Sequence, residues 1–116
     1  MVIPTAGTVV LVPFPFSDLS HTKLRPAVAL AEAGRGDWIL CQITSNPYSD
    51  SQAIPITPSS FAVGSLPVAS YARPGKLFTA HETLVVSIAG NLQRAVLRQI
   101  IAAIVAFLQT GLPAEA

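Results

Sequence analysis

The chain is short of charge, of cysteine and of long apolar runs, and each shortage removes a class of protein. Only 11% of its 116 residues are charged and the formal net charge is +1. No general field therefore draws it to nucleic acid or to an anionic membrane, and a polyanion has to be met by a local cluster of cations. Cys41 is the single cysteine, which excludes an intrachain disulfide framework and agrees with a reducing compartment, the cytoplasm by default. Two histidines, one cysteine and scattered acids show no metal-ligand spacing, so neither a metal nor another cofactor is expected. The longest uninterrupted apolar run, Ile100 to Leu108, has nine residues, against the roughly 20 that span a bilayer. The first residues do not form a basic region followed by an apolar one, so neither secretion nor membrane insertion is expected.

What the chain has in excess is apolar residues, 51% of the total. That composition predicts an ordered globule, one domain over residues 1–116, with some apolar surface covered by a partner chain. Thr8 to Val12 is a β-branched run that reads as a buried strand, and Pro13-Phe14-Pro15-Phe16 obliges it to end there or to follow an edge. Strand propensity resumes from Pro26 to Ala31. Gly34-Arg35-Gly36-Asp37 turns the chain into Trp38 to Thr44, which predicts a hairpin. Asn46 to Ser51 is a breaker cluster, and Ala53-Ile54-Pro55-Ile56 reads as a short edge strand because of its proline. Pro67 to Arg73, continued by Lys76 to Thr79 beyond a Pro74-Gly75 break, and Leu84 to Ile88 complete five to seven strands. From Asn91, read as the N-cap, Leu92, Val96, Ile100, Ile104 and Leu108 recur at helical spacing. The apolar band is wider than one face, so one side is expected to pack on the sheet and another on a partner.

Two stretches carry chemistry. Arg25, in Thr22 to Leu30, and Thr44 with Ser45, in Cys41 to Pro47, each set a useful polar group at one end of an apolar run. Read alone, Arg25 is better taken as a surface residue that caps or pairs with Asp18 or Glu32, and Thr44-Ser45 serves also as a hydroxyl-stabilised turn before Asn46-Pro47. Cys41 reads as a buried filler, and Trp38, Phe14 and Phe78 as core. His81 reads as a turn or helix-end residue.

Gly7 to Phe16, Lys23-Leu24-Arg25-Pro26-Ala27-Val28, Ile43-Thr44-Ser45 and Ser70 to Thr79 together resemble the MazF/PemK family of bacterial toxins, in order and over nearly the whole chain. The resemblance implies a mainly β (α+β) fold, a small SH3-like β-barrel with one long C-terminal α-helix. It implies a homodimer, sequence-specific and metal-independent cleavage of single-stranded RNA, and a cognate antitoxin that lies across the RNA groove. It assigns Arg25 and Thr44 as the catalytic pair, with Arg25 ending the first long loop. His21, Ser45 and Arg73 are possible catalytic support. Two departures stand out: Gly7-Thr8 where the family opens Gly-Asp, and Gly75 where some members carry an acid.

Metal-free RNA cleavage uses the ribose 2′-hydroxyl as nucleophile. The protein holds it in line, moves two protons and stabilises a doubly charged phosphorane. A guanidinium, forked and always charged, suits Arg25 to the phosphorane. Thr44 is a positioner on a stiff χ1, and His21 is a candidate acid or base. Phe16, Tyr48 and Tyr71 are available to stack bases, with Lys23 and Lys76 for phosphates. Two rival readings remain: a non-nucleolytic toxin of the same fold that poisons an enzyme such as DNA gyrase, and a decayed member that only binds.

Overall fold

The computed structural model describes residues 3–15 and 22–114. Seven strands and one helix follow in the order β1 (Thr8–Pro15), β2 (Thr22–Gly34), β3 (Asp37–Thr44), β4 (Ile54–Ile56), β5 (Phe61–Gly64), β6 (Ser70–His81), β7 (Ser87–Leu92) and α1 (Arg94–Gln109), with 3₁₀ turns at Pro58–Ser60 and Glu82–Leu84. The strands form one antiparallel sheet in the order β4-β6-β3-β2-β1-β7-β5.

β4 and β5 follow each other in sequence yet stand at opposite edges of that order. Laid flat, seven strands would hold their edges about 29 Å apart, whereas Thr57 to Ser60 is all that links these two. The sheet therefore curls into a half-barrel. Ile54 and Ile56 from one edge and Phe61 from the other join Val9, Val28, Cys41, Ile43, Ala72 and Leu92 in a single cluster, which α1 covers with Ile100 and Ile104. The opposite face carries a second cluster of Val10, Val12, Ala27, Ala29, Trp38 and Leu40. The fold is thus the expected one: mainly β, an SH3-like half-barrel with one C-terminal helix.

Several boundaries differ from the sequence reading for physical reasons. β1 takes the second of the two courses its prolines allow, pairing with β2 as far as Pro15↔Thr22. Leu11 gives its carbonyl to Val86 N–H at 2.9 Å, so alternate residues of β1 face β7, and that pairing ends at Leu11↔Ser87. Pro13 and Pro15 share that alternation and lie beyond the end of the β7 pairing, so no ladder bond among the described residues calls for their missing donors. β2 begins at Thr22 instead of Pro26 because β1 supplies a partner that far. Arg25 therefore lies inside a strand and does not end a loop.

The β2–β3 hairpin forms as expected, with positive φ at Arg35 (56°) and Gly36 (80°) giving the turn whose twist matches the strands. β4 is an edge strand, as its proline suggested. The Pro74-Gly75 break is a bulge: β6 pairs Leu77 with Cys41 and then Ala72 with Ile43, so Arg73 to Lys76 loop out of the ladder. Glu82–Leu84 is a 3₁₀ turn capped by His81, whose Nδ1 accepts from Thr83 N–H at 3.2 Å. Asn91 is not the helix cap. It lies in β7 and accepts from Thr8 Oγ1 at 2.9 Å, while Gln93 begins the helix.

Candidate functional site

The ladder between β2 and β3 ends at Ala27↔Gln42. Beyond that point β2 stays with β1, through Arg25↔Val12, and β3 stays with β6, through Thr44↔Tyr71. The two strands part. Continuing the lost register by two residues on each side sets Arg25 opposite Thr44, and strand alternation gives both the same face. Tyr71, the partner of Thr44, shares that face, so Arg25, Thr44 and Tyr71 form a row across three strands.

Where the strands part, a cleft of about 520 Å³ opens. Lys23 to Pro26 line it from β2, Ile43 to Ser45 from the end of β3, and Leu11, Ser65 to Val68, Ser70 and Ala89 complete it. Arg25 is half-buried, Thr44 is buried, and Lys23 and Ser45 are exposed. Arg25 and Thr44 thus both border a largely apolar opening, where charge interactions are stronger than in bulk water. The Thr44 hydroxyl is already engaged: it donates to Asn46 O at 3.0 Å and accepts from Asn46 N–H at 3.1 Å. The turn reading of Thr44 is therefore correct, and one acceptor position remains for a ligand.

Arg73, Tyr48 and Lys76 are not in this cleft. They line a second one, of about 560 Å³, with Ser49 to Gln52, Gly75 and Phe107. Arg73 Nε donates to Asp50 Oδ2 at 3.0 Å, and its guanidinium carbon lies 5.6 Å from the centre of the Tyr48 ring. The Asp50 carboxyl is held below its ordinary range, first by the Gln52 backbone N–H and then by Arg73. Tyr48 and Ser49 both have positive φ, 53° and 59°, a pair fixed by Asn46 Oδ1 accepting from Tyr48 N–H at 2.9 Å and by Asp50 N–H donating to Pro47 O at 2.9 Å. A Cβ on Gly75 would come within 2.9 Å of the Phe107 ring, so a side chain there requires that ring to shift.

Phe16 and His21 lie outside the described residues. Cys41 is fully buried, and burial pushes its thiol up to about 12, so it is the inert filler expected. Phe14 and Phe78 pack edge to face with centroids 5.2 Å apart. Asp50 was missed by sequence reasoning. An acid inside a breaker cluster has no periodicity to mark it, and the bulge that brings Arg73 to it is a tertiary feature.

No helix among the described residues is long and apolar enough to cross a membrane. Residues 5–108 match the family of the PemK-like, MazF-like toxin of type II toxin-antitoxin system. No curated protein matches. Among solved structures, the chain is similar to an endoribonuclease in complex with its cognate antitoxin from a mycobacterial species (18% identity, 99% of this chain and 100% of that one, TM-score 0.68). It is also similar to a MazE-MazF structure from Deinococcus radiodurans (16%, 96% and 100%, TM-score 0.75) and to the Mycobacterium tuberculosis toxin MazF-mt6 (15%, 86% and 96%, TM-score 0.63). At these identities the structures speak for the fold, and the family rests on the match over nearly the whole chain: this protein belongs to the PemK-like, MazF-like toxins of type II toxin-antitoxin systems.

Proposed function

We propose that this toxin is a metal-independent, sequence-specific endoribonuclease of single-stranded RNA, acting in the cytoplasm as a homodimer and neutralised by a cognate antitoxin. The observation that carries the reading is the register at the parting of β2 and β3, which sets Arg25 across from Thr44 in a cleft open to a ligand. The ribose 2′-hydroxyl attacks the adjacent phosphorus, the P–O5′ bond breaks, and the products are a 2′,3′-cyclic phosphate and a 5′-hydroxyl. Arg25 stabilises the phosphorane through forked, permanently charged donors. Thr44 orients the 2′-hydroxyl or a non-bridging oxygen through its remaining acceptor position, or through its proton once Asn46 O is released. Ser45 adds an exposed hydroxyl beside it, Tyr71 and Tyr48 stack bases, and Lys23 and Lys76 meet phosphates. His21 is assigned proton transfer by resemblance alone.

Incubation of the purified protein with a long defined RNA in EDTA, followed by mapping of the ends, tests this. Discrete cuts bearing 5′-hydroxyl ends are expected. Products with 5′-phosphates, or no cutting in EDTA with cutting restored by a divalent cation, would contradict it.

The binding-only reading has one observation in its favour, the Thr44 hydroxyl engaged on both sides with Asn46. A protein of that kind would leave RNA intact and lose no toxicity on Arg25→Ala. The antitoxin is expected to cover the apolar lining of the Arg25 cleft with an extended or partly helical acidic and apolar segment. It would then compete with a non-cleavable RNA.

A further inference from the structure

The second cleft contains an arginine set up by its neighbours. Arg73 is anchored at Nε by Asp50 and flanked by the Tyr48 ring. A guanidinium has two hydrogen-bonding edges useful to a phosphate, one made by Nε with a terminal nitrogen and one made by the two terminal nitrogens. Asp50 occupies the first. The terminal nitrogens have no partner among the described residues, and Arg73 lines an open cleft beside exposed Lys76. Asp50 is itself fixed, through Gln52 N–H on Oδ1 at 2.9 Å and through its own backbone bonds to Pro47 and Ala53. The loop also accepts two consecutive left-handed residues that are not glycine, Tyr48 and Ser49, a conformation retained only where surrounding bonds determine it.

We propose that Asp50 is a positioning residue: by holding Arg73 at Nε, it presents the guanidinium's outer edge to grip a phosphodiester of single-stranded RNA in this second cleft, apart from the scissile phosphate at Arg25. The proposal rests on the RNA-cleaving reading above and adds to it a subsite and the residue that shapes it. A negative charge inside an RNA-binding cleft repels the ligand when taken alone. It is tolerated here because one lone pair binds Arg73 and another binds the Gln52 amide, so the cleft gains a fixed fork and keeps the charge of Lys76. The ordering cost of a long side chain is then met in folding and not at binding.

The experiment measures steady-state cleavage and the binding of a 2′-O-methyl oligonucleotide for wild type, Asp50→Ala, Asp50→Asn, Arg73→Ala and the Asp50→Ala/Arg73→Ala double variant, each checked for folding by thermal melting. Asp50→Ala is expected to raise KM and weaken binding about tenfold, the cost of ordering one such side chain, with kcat within about twofold. Asp50→Asn, whose single carbonyl oxygen can accept from Arg73 Nε only by giving up the Gln52 N–H on the other side, falls between wild type and Asp50→Ala. The double variant binds no worse than Arg73→Ala, because Asp50 acts through Arg73. Additive losses, a fall in kcat at unchanged KM, or Asp50→Ala binding RNA as well as wild type would overturn the proposal while leaving the nuclease intact. A wild-type protein that neither binds nor cuts RNA would overturn the nuclease reading and the proposal together.

Discussion

The two clefts are separated in sequence only by Asn46-Pro47, yet they are built by opposite means. The first arises where two strands of the sheet part, and its Arg25 and Thr44 sit on β2 and at the end of β3. The second is made of a loop, a bulge and one helical residue, held together by side-chain bonds around Asp50 and Arg73. Strands fix a side chain to within a fraction of an ångström, which suits bond breaking. A loop side chain held ready by its neighbours' hydrogen bonds suits gripping a phosphate. The contrast agrees with the proposal that chemistry belongs to the first cleft and grip to the second.

The largest expected effect breaks the first cleft alone. Arg25→Ala should cost roughly 2–4 kcal/mol of transition-state stabilisation, the scale of losing one preorganised donor, in a protein that still folds. A loss confined to KM would move Arg25 to the gripping class. Thr44→Val comes next, because it removes a hydroxyl used in folding as well as in positioning. It should lower stability by about 1–2 kcal/mol and abolish most activity, whereas Thr44→Ser retains both. If Thr44→Val melts early but still cuts normally, Thr44 is a turn residue only.

The outer face of α1 bears on whether one protomer suffices. Ile101, Val105 and Leu108 are 39%, 48% and 64% exposed and follow one stripe of the helix. Light scattering should give a dimer at micromolar concentration, and Val105→Asp should shift it towards monomer. A wild-type monomer would leave this stripe without the expected cover.

Smaller effects sharpen the second cleft. The folded Asp50 carboxyl lies below its ordinary value of 3.8, so its contribution is fully present above the unfolded value and is lost as pH falls through the folded one. The stability gap between wild type and Asp50→Asn should therefore be constant from neutral pH down to about 4 and close below that. The gap itself is small because the carboxylate is near solvent. A gap that closes near pH 6 would point to a histidine instead. Gly75→Ala should cost less than about 1 kcal/mol, since Phe107, itself 40% exposed, turns aside; a larger cost in thermal melting would mean that Phe107 is held in place.

The sequence made the scaffold legible wherever local chemistry decides. The Arg35-Gly36 turn, the Pro55 edge strand, the buried Cys41 and the helical spacing of Ile100 and Ile104 follow from conformational preference and periodicity. It misled where tertiary pairing decides. β2 begins early because β1 extends to meet it, whereas β1 passes its two prolines beyond the end of its β7 pairing, the edge course that the sequence leaves open to it. For the site, Arg25 and Thr44 were readable as polar ends of apolar runs, but their alignment depends on a ladder that stops at Gln42. The division of Arg73 and Tyr48 into a separate cleft, with Asp50 between them, was not readable. It depends on a bulge that displaces Arg73 to Lys76.

The most direct test of the chemistry assigned to the Arg25 cleft is cleavage, in EDTA, of an RNA carrying a single 2′-deoxynucleotide on the 5′ side of the scissile phosphate, beside its all-ribose counterpart. The account predicts that the all-ribose strand is cut to a 2′,3′-cyclic phosphate while the substituted strand binds with similar affinity and stays intact at that position. Cutting of the substituted strand at the same phosphate would show that the 2′-hydroxyl is not the nucleophile, and would contradict the roles given to Arg25 and Thr44.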